Sequence, residues 1–110
     1  MASKGELQGI PQPMRWLSRV SADLLKAFAE LRLRVQEGGR LSVREKRLAL
    51  TAAYASIGCV KCLAGCIREG LKEGLSIEEL LEAASVAVLV RGAEAVITVS
   101  EALRLLEIKA

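Results

Sequence analysis

Three cysteines fall within one short segment, Gly58-Cys59-Val60-Lys61-Cys62-Leu63-Ala64-Gly65-Cys66, and the chain has no others. Cys59 and Cys62 are three residues apart, so on a helix they share a face and lie close enough for a disulfide. A cysteine in the first turn of a helix meets amide N–H groups that have no partner within the helix, and the positive end of the helix dipole. Both stabilise a thiolate. Lys61, between the two, adds a positive charge. Cys66 follows Cys62 by four residues and stays on the same side of the helix, one turn deeper, where help from the dipole has faded.

Three kinds of chemistry fit this segment. Cys59 and Cys62 could cycle between two thiols and a disulfide. The three thiolates could hold a metal, although a closed site would need a fourth ligand from a carboxylate or another subunit. Each cysteine, Cys66 above all, could also be a small apolar residue of the core. Histidine is absent from the chain. That absence excludes catalysis by an imidazole base, Cys-His and Ser-His-Asp arrangements, and any metal site built on histidine.

The elements that would position these sulfurs read as helices throughout. Apolar residues Leu17, Val20, Leu24, Phe28, Leu31 and Val35 recur at threes and fours from Met14 to about Val35, and Gly38-Gly39 stops the pattern. Ser42 stands three residues before Glu45, a capping box that opens a helix running to about Ile57. Gly58 breaks the pattern immediately before Cys59. The next helix is expected from about Cys59 to Lys72, with Gly74 at its end. Ser76 and Glu79 form a second capping box, opening a helix to about Val90. A last helix follows Gly92, over Ala93–Glu107. The β-branched runs Val86–Val90 and Val96–Val99 could pass for strands, but their flanks are rich in Leu, Ala and Glu and favour helix. An all-α domain of about five helices results, with a flexible tail over 1–13, a helix and glycine-rich turn over 14–40, and a core over 41–110.

Composition agrees. The 110 residues are 52% hydrophobic and 26% charged, enough for one small core. Trp16, Phe28 and Tyr54 are the only aromatics, so Leu, Ala, Val and Ile must fill the interior. The net charge of +3 is uneven: residues 1–47 hold ten Lys/Arg against five Asp/Glu, and residues 48–110 hold six against eight. This basic excess lacks the coherent face and stacking aromatics of a nucleic-acid binder. The longest uncharged run, Leu48–Val60, is too short to span a bilayer, and Met1–Gln12 lacks the apolar run of a signal peptide. The expectation is a cytoplasmic protein with no nucleic-acid or membrane partner. Leu48–Val60 and Ala83–Val99 are apolar nearly all round, more than a domain this small can bury alone, and so point to a homo-oligomer.

Beyond the cysteines, the stretch Leu41–Glu107 resembles the alkyl hydroperoxidase D / carboxymuconolactone decarboxylase family. The resemblance is carried by Ser42-Val43-Arg44-Glu45-Lys46-Arg47, Leu48-Ala49-Leu50-Thr51-Ala52-Ala53 and Ile57-Gly58-Cys59-Val60-Lys61-Cys62. Glu69-Gly70-Leu71-Lys72-Glu73-Gly74 and Leu75-Ser76-Ile77-Glu78-Glu79-Leu80-Leu81-Glu82-Ala83 follow in order. No motif covers residues 1–40. The resemblance implies an all-helical, AhpD-like fold with the C-x-x-C at a helix N-terminus, assembled into trimers or hexamers. It also implies peroxidase activity in which a glutamate and a histidine relay protons to the thiols. Here those two positions hold Arg47 and Cys66. Glu45 lies about 200° around the helix from position 47, too far to replace the glutamate.

With Arg47 beside the cysteines, a fixed cation would take the place of a proton relay and hold a thiolate ready. Cys66 would serve as an extra resolving thiol. The leading expectation is therefore a thiol–disulfide or peroxide-reducing oxidoreductase with Cys59, Cys62 and Cys66 as its catalytic residues. Its partners would be a peroxide or disulfide substrate and an external dithiol, with no cofactor and no metal. The helix dipole favours Cys59 as attacker, whereas the resemblance favours Cys62. A non-catalytic helical module that has lost the relay is the alternative. A decarboxylase is disfavoured because no imidazole is present to handle the substrate's protons.

Overall fold

Ser42 and Ser76 each close a reciprocal capping box in the computed structural model, which describes residues 11–109. Ser42 Oγ accepts from the Glu45 amide at 3.0 Å, and the Glu45 carboxylate accepts from the Ser42 amide at 2.8 Å. Ser76 and Glu79 repeat the arrangement at 3.0 and 3.1 Å. Two donors that the first turn would leave unpaired are satisfied in each case. The architecture is all-α, with no strand among the described residues.

The chain divides into two compact units between Arg40 and Leu41. In the first, a 3-10 turn at Gln12–Met14 precedes α1 (Leu17–Val20) and α2 (Ala22–Gln36), and α1 packs against α2. The single helix expected from Met14 to Val35 is therefore broken at Ser21, which adopts an extended backbone (φ −164°, ψ 150°). Its Oγ accepts from the Leu24 amide at 3.0 Å, so a capping signal overrides the apolar periodicity that runs through it. The tail expected over residues 1–13 lies, as far as Ile10, outside the described residues.

The second unit comprises α3 (Val43–Ile57), α4 (Val60–Lys72), α5 (Ile77–Ser85), α6 (Val88–Arg91) and α7 (Ala93–Leu105). The helix expected from Ser76 to Val90 is two helices. After Ser85 the amides of Val86 and Ala87 turn back to the carbonyls of Ala83 and Ala84, and this tighter bonding breaks the α-helical ladder. The five expected helices are found as α2, α3, α4, α5 and α7, with the single turns α1 and α6 in addition.

Helix α3 packs on α4 and α5, and α4 packs on α7. Their shared core holds Leu63 and Ile67 of α4, Leu80 and Ala84 of α5, Ala55 of α3, and Ala95 and Ala102 of α7. Each fully buried Leu or Ile contributes roughly 1.5–3 kcal/mol. The alanines keep the axes close. Gly70 marks a close approach: a side-chain carbon there would lie 2.7 Å from Cδ2 of Leu80 and 3.4 Å from the Arg47 stem. This contact brings the second half of α4 against the Arg47 side chain.

Candidate active site

Helix α3 ends at Gly58, whose left-handed backbone (φ 77°, ψ 21°) only glycine adopts cheaply. The amides of Gly58 and Cys59 both turn back to the Tyr54 carbonyl, at 3.1 and 3.3 Å. The chain then reverses, and Cys59 becomes the N-cap of α4. Its sulfur does the work of a capping oxygen: the Cys62 amide donates to Cys59 Sγ at 3.3 Å. A disulfide joins Cys59 to Cys62, with Cα atoms 5.3 Å apart. Cys59 is half-buried, while Cys62 and Lys61 are exposed.

One turn further along α4 the surroundings change. Cys66 is a free thiol, 3% exposed, directed at α3. Arg47 Nη1 donates to its sulfur at 3.6 Å, and Thr51 Oγ1 lies 3.4 Å from it. The Thr51 hydroxyl also bonds to the Arg47 carbonyl at 2.7 Å. The remaining guanidinium nitrogens grip Glu73 in a two-point pair, Nε to Oε1 at 2.9 Å and Nη2 to Oε2 at 3.1 Å. That carboxylate holds Arg47 firmly charged, raising its pKa above the ordinary guanidinium value against the opposing effect of burial. All three nitrogens of the side chain are thus engaged, on Glu73 and on Cys66.

The sequence-predicted residues therefore separate into two places. Cys59 and Cys62 are joined at the mouth of α4. Cys66 and Arg47 meet in the interior, so the cation of Arg47 acts on Cys66. Glu45, which the sequence leaves out of the site, is committed to its cap, and this bond to Ser42 lowers its pKa. No group of three or more Cys, Asp or Glu residues among the described residues is placed to hold a metal.

Sequence reasoning missed three participants. Glu73 ends α4 and reaches Arg47 across twenty-six positions of sequence. Thr51 reads as one more residue of an apolar helix. The third is Arg91, at the end of α6. Its Nη1 donates to the Ser56 carbonyl at 3.3 Å, and its guanidinium lies against Gly58, immediately before Cys59. An i, i+4 count shows Thr51 one turn from Arg47. Neither Glu73 nor Arg91 carries any local signal of its partner.

An all-α unit with a C-x-x-C disulfide at the start of a helix that packs into its core defines a class of helical proteins with a dithiol site. The chain belongs to the carboxymuconolactone decarboxylase family, which it matches over residues 22–105. The match begins well before Leu41 and takes in α2, where no motif is legible. A crystal structure of a protein from Methanobacterium thermoautotrophicum, a structural-genomics target, is similar at 34% identity and a TM-score of 0.64. The similarity covers 78% of this chain and 92% of that one. No curated protein matches the chain.

Proposed function

We propose that the protein is a thiol–disulfide or peroxide-reducing oxidoreductase that works through Cys59 and Cys62. The observation that carries this reading is the disulfide at the mouth of α4, with the Cys62 amide directed at Cys59 Sγ. In the reductive half, a thiolate of an external dithiol attacks the exposed Cys62 sulfur. Cys59 leaves as a thiolate, stabilised by the amide and the helix dipole. The second thiol of the reductant then resolves the mixed disulfide, releasing Cys62 and an oxidised reductant. In the oxidative half, the Cys59 thiolate attacks a peroxide oxygen. The O–O bond breaks, an alcohol or water departs with a proton from solvent, and Cys59 becomes a sulfenic acid. Cys62 attacks that sulfur, water leaves, and the disulfide closes.

Cys66 has a supporting place in this scheme. Its thiol is buried and shared between Arg47 and Thr51, so service as a resolving thiol would require α4 to leave α3. Peroxide or disulfide turnover with a dithiol reductant, run on wild type and on each single Cys→Ser variant, tests the reading. Loss in Cys59→Ser and Cys62→Ser but not in Cys66→Ser is expected. Wild-type turnover no faster than reagents alone would refute it.

One observation favours a second reading, a helical assembly module without catalysis. Arg47 and Cys66, at the positions where the resemblance implies a proton relay, are bound into a network with Glu73 and Thr51. A Cys59 thiol that alkylates with the ordinary cysteine pKa of about 8.5 would support the module over the enzyme. In either reading the chain self-associates. Leu89 is 87% exposed, and Val90, Val96 and Ile97 are exposed as well. These are large apolar side chains that a subunit contact would cover. Light scattering at micromolar concentration should give a multiple of the chain mass. No helix among the described residues is long and apolar enough to cross a membrane.

A further inference from the structure

Arg91 takes no part in the exchange steps above, yet its guanidinium is packed against the residue that precedes Cys59. A side-chain carbon added at Gly58 would fall 2.9 Å from Cζ of Arg91. Helix α3 ends here, and its last carbonyls, with the negative end of its dipole, attract a cation. Nη1 bonds to the Ser56 carbonyl, while Nε and Nη2 each lie 2.8 Å from Oε2 of Glu94 on the following helix. The side chain is 33% exposed. Its position is fixed from two sides, and a guanidinium carries a positive charge.

Resting on the dithiol reading above, we infer that Arg91 is a positioning residue that holds a positive charge beside Cys59 and so favours the reduced pair over the disulfide. The disulfide is neutral, whereas the reduced pair carries a thiolate. A fixed cation lowers the energy of the charged form only. Glu94 offsets part of that charge, and Lys61, in the first turn of α4, adds to it. The pair is therefore a stronger oxidant than the same C-x-x-C without Arg91.

Equilibration with reduced and oxidised glutathione at fixed pH tests this. Two glutathione thiols give up two electrons to the Cys59–Cys62 bond and form glutathione disulfide. One proton stays on Cys62, and the other is released as Cys59 becomes a thiolate. Arg91→Met should shift the equilibrium about three- to tenfold toward the protein disulfide, roughly 15–30 mV in potential. Arg91→Lys, which keeps the charge, should recover most of that shift. Glu94→Gln should move it about threefold the other way, and this residue is exposed enough to change without unfolding the chain. The opposite signs are diagnostic: a merely structural ion pair would give both losses the same sign and make Lys no better than Met. A shift below about twofold in Arg91→Met, or one toward the dithiol, would overturn the inference and leave the dithiol reading standing. Should Arg91→Met fail to fold, the sign of Glu94→Gln decides. If wild-type Cys59 and Cys62 never exchange with glutathione, both claims fall together.

Discussion

Two turns of one helix place the same residue type in opposite circumstances. At the mouth of α4, Cys59 and Cys62 sit beside an exposed lysine and the end of a neighbouring helix, the Cys62 amide donates to Cys59 Sγ, and the two sulfurs are joined to each other. At the interior turn, Cys66 is buried against Arg47 and Thr51. Spacing alone would give the three sulfurs one face and one role. What separates them is the neighbour: the mouth borders a chain reversal, whereas the interior turn borders α3 along its length. Reactivity here follows access and available donors more than position in a motif.

The largest effect should come from the sulfurs themselves. Cys59→Ser or Cys62→Ser should lower dithiol-driven turnover at least about a hundredfold, while Cys66→Ser stays within about threefold of wild type. Equal losses in all three would erase the distinction between the two turns. Gly58→Ala comes next. It forces a left-handed backbone on alanine and drives its methyl group into the Arg91 guanidinium, at an expected cost of about 1–3 kcal/mol in denaturant unfolding. The same change should slow disulfide exchange, because it moves the joint that carries Cys59.

Glu73→Gln probes the interior turn alone. It leaves the Arg47 guanidinium, whose side chain is 16% exposed, without its carboxylate. A loss of about 1–2 kcal/mol is expected, discounted for the partial exposure of the pair, with turnover within about twofold of wild type. Smaller still is the effect of the α3 cap, which lies upstream of both turns. Ser42→Ala should cost about 1 kcal/mol. The bond to Ser42 holds the Glu45 carboxyl below its ordinary pKa in the folded state. Its contribution is therefore complete above the ordinary carboxylate pKa and is lost as pH falls through the lower folded value. An acid titration of helix content should show this loss in wild type and not in Glu45→Gln.

Much of this arrangement is legible in the chain because it is local. Ser42-x-x-Glu45 and Ser76-x-x-Glu79 announce two helix starts, and Gly58 before Cys59 announces the joint. The break at Ser21 is also local, but in the sequence the apolar period running through it outweighs a single serine. At Val86 nothing in the side chains marks the tighter turn that ends α5. Glu73 and Arg91 are invisible for a different reason. Their partners are chosen by helix packing, and no count of residues along one helix reveals which side chain of another will face it. Arg47 shows both sides of this. Its importance can be read from its place in a family pattern, but its contact with Cys66 in place of the dithiol cannot.

The most direct measurement is a trypsin digest of the native protein after brief peroxide treatment and blocking of free thiols. Cleavage after Lys61 separates Cys59 from Cys62, so a closed pair appears as two linked peptides, residues 48–61 and 62–68. That link should run through Cys62, and Cys66 should take up alkylating reagent only once the chain is unfolded. Unlinked peptides, or a link running through Cys66, would contradict it.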